Sequence, residues 1–222
     1  MMDDKTEITH TEESQQSDQS QVNQGQTVAV RKKTDIINVL LLVACIVLAV
    51  IIVVKVFFVT TVKVSQTSMY DTLNDGDVVV VSKVSAVQRG DIVVFFEEDV
   101  TGFFQKLDDS NKKLIKRVVA VAGDEIWVEN VTADTYKVMV RCHDTGKVVE
   151  EHYTYKGNEV NIPNIGRVYL ERLSECVGEE NAYTVPEGYF FAMGDNRNNS
   201  RDSRNSEVGD ISYSKVFGVV IK

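Results

Sequence analysis

The sharpest pattern in the chain is a run from Ile36 to Val54 that is apolar at every position except Asn38. A 19-residue helix rises about 1.5 Å per residue, close to the roughly 30 Å hydrocarbon thickness of a bilayer. The run has no polar face, so it does not read as a core helix. After residue 60 the period changes. Val78–Val81, Ile92–Phe96, Leu114–Val121, Glu125–Val128 and Ile211–Ile221 are short β-branched or aromatic segments separated by Gly-Asp or Asn-Asp turns. This pattern predicts an antiparallel β domain. Residues 129–186 are more polar and irregular, and read as a β-rich insertion or second lobe.

These patterns divide the chain into a tail over 1–33, an anchor helix over 34–59 and a mainly β domain over 60–222. The first 30 residues carry six acids against one lysine and are rich in Ser, Thr, Gln and Asn. Such a segment buries too little apolar surface to offset chain entropy, so it is expected to be disordered. The net charge is −9, with no basic stripe in the β domain, which argues against a nucleic-acid partner. Arg31-Lys32-Lys33 precede the apolar run, whereas only Lys55 and Lys63 follow closely. That asymmetry favours a cytoplasmic N-terminus and an extracytoplasmic β domain. A cleavable leader fits poorly, because 35 residues precede the run and no small-x-small site follows it.

Cys142 and Cys176 would then face an oxidising compartment, but the sequence does not fix whether they pair. No Cys-x-x-Cys occurs, and His10, His143 and His152 form no ligand pattern, so no metal or other cofactor is expected. Phe103-Phe104, in a polar stretch between two strands, are either folded onto the core or placed at a hairpin tip to meet the bilayer.

Three segments carry candidate chemistry. Ser68-Met69 follow the alternating Val62-Lys63-Val64 and precede the turn Asn74-Asp75-Gly76-Asp77, which puts Ser68 at or near a strand end. Lys116 and Arg117 interrupt an apolar strand. On a strand Lys116 shares its face with Leu114, Val118 and Ala120. Partial burial there would lower its pKa and let a neutral amine take a proton from a serine. Gly194-Asp195-Asn196-Arg197-Asn198-Asn199-Ser200-Arg201-Asp202-Ser203-Arg204 concentrates amide and charge directly behind the apolar strand Tyr189–Met193.

In order and combination these segments resemble the bacterial type I signal peptidases, over roughly residues 30–222. The last matches the pattern Gly-Asp-Asn-Arg-x-x-Ser-x-Asp-Ser-Arg at every defined position. The resemblance implies Ser68 as nucleophile, Lys116 as general base and Ser200 as the hydroxyl that orients the lysine. Asp202 and Arg204 become an ion pair beside the site, with Arg117 and Asp195 structural near it. Met69 would line the pocket for a small side chain. Gln66 stands where some relatives place an oxyanion-stabilising serine, so its amide, or Ser68 N–H with water, would carry that load. Asp71 and Ala122 replace prolines common in the family. The implied substrates are secretory preproteins cleaved after an Ala-x-Ala-like site, with the lipid bilayer and the secretion translocon as further partners. The competing readings are a Ser-His-Asp hydrolase using His143 or His152, a self-cleaving repressor peptidase, and an inactive scaffold for pilin or surface-protein assembly. The first lacks a motif, the second lacks a DNA-binding domain, and the third should have lost Ser68 or Lys116.

Overall fold

The computed structural model describes residues 36–99 and 111–221; the acidic tail, Arg31-Lys32-Lys33 and Phe103-Phe104 lie outside them. The chain divides into two units, residues 1–54 and 55–222. In the first, helix α1 begins. It runs Ile36–Phe57, two residues inside the expected anchor at each end, and its side chains from Ile36 to Val54 are exposed.

The second unit is antiparallel β throughout its sheets. Its strands are β1 Val59–Lys63, β2 Val78–Ser82, β3 Ile92–Phe96, β4 Lys113–Val121, β5 Glu125–Asn130, β6 Thr135–Arg141 and β7 Val148–Glu150. They continue as β8 Thr154–Tyr155, β9 Asn158–Glu159, β10 Ile165–Gly166, β11 Tyr183–Thr184, β12 Tyr189–Met193, β13 Ile211–Ser212 and β14 Val216–Val220. A seven-stranded sheet has the order β1-β2-β14-β3-β4-β12-β13. A second sheet has the order β10-β6-β5-β11, with β7 added to β6, and β8 and β9 form a separate hairpin. The second sheet begins at Glu125, so the lobe read from the sequence as 129–186 starts one strand earlier.

The central strands β3 and β4 are buried on both faces, which is why they read as continuous apolar runs rather than alternations. Their register pairs Val93 with Lys116 and Ile92 with Arg117. Lys116 therefore shares a face with Val93 and Phe95, and Arg117 lies on the opposite face with Ile92 and Val94. A bulge between Phe191 and Ala192 on β12 re-aims the chain before it reaches Gly194. One core cluster gathers Trp127, Val138, Leu173 and Phe191 around the second sheet. Two others sandwich the first sheet: Val64, Met69, Leu73, Val81 and Ile92 on one side, Phe95, Val118, Phe190 and Ile211 on the other. Cys142 and Cys176 are buried free thiols.

Candidate active site

Beyond β1 the ladder with β2 continues for one more step, as Val64 N–H donates to Asp77 O at 2.7 Å and Gly76 N–H donates to Val64 O at 3.0 Å. The chain then leaves the sheet. Tyr70 N–H donates to Thr67 O and Leu73 N–H to Met69 O, so a tight turn starts at the nucleophile candidate. Ser68 thus sits past the strand end, on a turn anchored by its buried neighbours Met69 and Leu73. The segment after β12 holds this turn from the other side. Asn196 N–H donates to Ser68 O at 3.1 Å, Asn196 Nδ2 to Thr67 O at 3.1 Å, and Thr72 Oγ1 to Asp195 Oδ2 at 2.6 Å.

Lys116 enters from β4. Its Nζ lies 2.7 Å from Ser68 Oγ and 2.9 Å from Ile115 O, and the residue is 3% exposed. Burial disfavours the ammonium and brings its pKa down to about 8, while the charges of Asp202 and Asp195 pull upward and that of Arg204 pulls down. The amine is thus matched to taking a proton near neutral pH and, once charged, faces two carboxylates.

Around this pair the buried charges are satisfied. Arg117 donates Nε and Nη2 to the two oxygens of Asp195 at 2.8 and 2.6 Å, and Nη1 to Gly90 O. Arg204 grips both oxygens of Asp202 at 2.8 Å. Burial opposes ionisation of Asp202, but Arg204 and Gly194 N–H hold its carboxyl below the usual range. Paired, fork-shaped contacts of this kind keep buried charge in a fixed place.

The sequence missed a third pair. Glu151 and Arg197 bond through both oxygens and both terminal nitrogens, Tyr153 Oη donates to Glu151 at 2.8 Å, and the Arg117 guanidinium lies over the Tyr153 ring at 4.6 Å. The segment after β7 is thereby tied into the Gly194–Arg204 loop. Its only sequence signal was a tyrosine and an acid in a polar stretch.

Two expected roles look different in the structure. Ser200 Oγ is buried and makes no hydrogen bond of ordinary geometry, though its dipole favours ionised Asp202. The contacts of Lys116 Nζ are Ser68 and Ile115, so the orienting bond from Ser200 is not made. Met69 is fully buried among Val64, Leu73 and Val79, away from the cleft, because the turn after Ser68 swings it into the core. The cleft itself, a cavity of about 500 Å³, runs between residues 62–68 and 111–116 and is also lined by Val94. A second cavity continues past Ser68 toward Tyr169, Asn198 and Ser200. Gln66, Ser68 and Lys116 line both. Neither histidine is near the pair: His143 contacts Asp124 and His152 faces Glu159. Among the described residues no cluster of His, Cys, Asp and Glu could hold a metal ion.

A serine hydroxyl and a buried lysine amine in contact, lining a cleft of the β domain in a chain that also carries a membrane-length helix, are the groups a membrane-associated serine endopeptidase would need. The model of the family described as signal peptidase, peptidase S26, matches residues 36–221. A signal peptidase I of Streptococcus pneumoniae (TIGR4) is 30% identical over 177 residues, covering 74% of this chain and 81% of its own. A probable signal peptidase I-1 of Synechocystis is 33% identical over 173 residues, covering 75% and 71%. A signal peptidase I of Bacillus amyloliquefaciens is 31% identical over 159 residues, covering 70% and 68%. A solved signal peptidase I from Enterococcus faecalis overlays with a TM-score of 0.35 at 24% identity, over 62% of this chain and 99% of the other, too weakly to add weight. The chain belongs to the signal peptidase family, peptidase S26.

Proposed function

We propose that this protein removes signal peptides from secretory preproteins with Ser68 as nucleophile and Lys116 as general base. The observation that carries the reading is the 2.7 Å contact between Ser68 Oγ and a lysine amine whose pKa burial brings down to about 8. Ser68 Oγ attacks the scissile carbonyl carbon as its proton passes to Lys116 Nζ. The resulting ammonium gives that proton to the departing amine, and the C–N bond breaks. A water then attacks the acyl-enzyme, losing its proton to Lys116, and Ser68 leaves with that proton. Asp195 and Asp202 stabilise the ammonium between steps. Ser200, beside Gly194 with its hydroxyl by Asp202, is the candidate to bond Lys116 when substrate fills the cleft.

Walls of Val62, Val64 and Ile115 suit small apolar side chains, in keeping with cleavage after an Ala-x-Ala-like site. The bilayer is the second partner. Helix α1, with Arg31-Lys32-Lys33 before it, supports a single-pass anchor with the tail inside and the β domain outside. An anchor confines enzyme and signal peptide to one surface and raises their effective concentration. The test is incubation of the full chain, in detergent, with a preprotein whose signal ends in Ala-x-Ala, followed by mass analysis. A single cut after that site, absent in Ser68→Ala, is expected; cleavage by Ser68→Ala would refute the assignment.

A further inference from the structure

A closed loop of contacts surrounds the reacting pair. Ser68 Oγ meets Lys116 Nζ at 2.7 Å. Arg117, the next residue of β4, points to the opposite face and donates Nε and Nη2 to the two oxygens of Asp195. Asp195 Oδ2 also accepts from Thr72 Oγ1 at 2.6 Å. Thr72 lies past Ser68 on the turn that carries the nucleophile, which Leu73 N–H closes onto Met69 O at 2.9 Å. The fully buried Asp195 is therefore joined to the base through Arg117 and to the nucleophile through Thr72.

The turn needs such a tether. At its start it is pinned by Asn196, whose N–H donates to Ser68 O and whose Nδ2 donates to Thr67 O. Farther along, Met69 and Leu73 are buried while Tyr70 and Asp71 are exposed. Apolar burial is non-directional, so it fixes the depth of the turn but not its rotation. Among the described residues, the bond from Thr72 to Asp195 is the one hydrogen bond that joins residues 69–73 to another part of the chain. A short bond to an ionised acceptor is strong and directional. This acceptor is itself fixed, since Arg117 holds both of its oxygens. Thr72 lines neither cavity beside Ser68, so its hydroxyl is not placed there to meet substrate.

We propose that Thr72 is a positioning residue for the serine–lysine pair: its hydroxyl hangs the nucleophile's turn on Asp195, so that one buried carboxylate registers Ser68 against Lys116. The inference rests on Ser68 being the nucleophile and Lys116 the base. The same bond has an electrostatic side. The charged groups that act on Lys116 are Asp202, Asp195 and Arg204, with Arg117 beside it in β4 bound to Asp195, and the Asp195 charge favours the ammonium. A donor on Asp195 offsets part of that charge. Loss of the hydroxyl should therefore favour the ammonium further and raise the pH at which the amine becomes free.

The experiment is steady-state cleavage of a peptide spanning a small-x-small site by the full chain in detergent, as a function of pH, for the parent, Thr72→Val and Thr72→Ser. Valine keeps the shape and removes the hydroxyl; serine keeps the hydroxyl. In either variant Asp195 retains both bonds from Arg117, so the fold should persist, and thermal unfolding checks it. Thr72→Val should lower kcat by roughly ten- to a hundredfold, the cost of a misplacement on the order of 1 Å, with KM within about threefold of the parent. Its kcat/KM midpoint should move up by roughly half a pH unit. Thr72→Ser should recover most of the rate and the parent midpoint. Parent kcat in Thr72→Val overturns the inference, as does a loss of the same size in Thr72→Ser. A lower kcat with an unmoved midpoint also overturns it, because a partly unfolded population loses rate without changing how Lys116 titrates. Turnover by Ser68→Ala would instead overturn the nucleophile assignment, whatever Thr72 does.

Discussion

Replacing Lys116 by Met should make the protein inactive and, at neutral pH, more stable. The folded state lowers the Lys116 pKa from 10.5 to about 8, chiefly by burial. Because the folded value is depressed, the unfolded chain binds more protons between about pH 8 and 10.5. Stability from this group therefore rises as pH rises through that window, and below about pH 8 the burial penalty is present in full. At 1.36 kcal/mol per pK unit the penalty is about 3 kcal/mol, an order-of-magnitude figure for a group 3% exposed. Methionine fills nearly the same volume and carries no such penalty. Urea unfolding of the full chain in mild detergent, followed by fluorescence of buried Trp127, the lone tryptophan, measures the difference. The stability advantage of Lys116→Met over the parent should be about 3 kcal/mol larger at pH 6.5 than at pH 10.5 or above. The same shift governs turnover. The parent kcat/KM should rise about tenfold per pH unit below pH 8 and level off above it. An ordinary lysine would be neutral roughly 300-fold less often at pH 7, and its profile would keep climbing to about pH 10.5. A stability gap that does not change with pH, or a rate midpoint near that of free lysine, would refute the reasoning.

Ser68→Ala, Lys116→Ala and the double variant should all lose activity to a similar degree, because nucleophile and base act as one unit; strict additivity of the two losses, read from kcat/KM, would count against a dyad. Ser200→Ala should slow cleavage by roughly ten- to a hundredfold without lowering the melting temperature, since the deleted hydroxyl is buried and unpaired in the fold; an unchanged rate would remove Ser200 from the site. In Gly194→Ala the new Cβ would overlap Ser200 Oγ and the carbonyl oxygen of Ser68, so thermal unfolding should show a loss of about 1–3 kcal/mol and turnover should fall further than that loss explains. Glu151→Ala leaves the Arg197 guanidinium buried without its partner and should destabilise by about 3–5 kcal/mol, whereas the double variant Glu151→Ala/Arg197→Met should recover much of that in urea melts.

What the sequence shows and what it hides divide along one physical line. Features set by neighbours in the chain are legible. The apolar run fixes α1, the β-branched runs fix β3 and β4, and the strand period correctly puts Lys116 on the face of Leu114 and Val118, where desolvation was expected and is found. Features set by which distant segments meet are not. Glu151 and Arg197 lie 46 residues apart, and nothing local to either announces a buried pair. Nor does the polarity of the stretch around Tyr153 suggest that its ring will lie against Arg117. Met69 shows the opposite failure: the family resemblance implied a place in the cleft, but a turn rather than a strand follows the serine, with Leu73 N–H bonded to Met69 O, and the side chain lies in the core. Ser200 combines both cases. Its motif position marks it as a candidate for the site, yet its hydroxyl lies by Asp202 and makes no bond to Lys116, whose amine meets Ser68 and Ile115 instead.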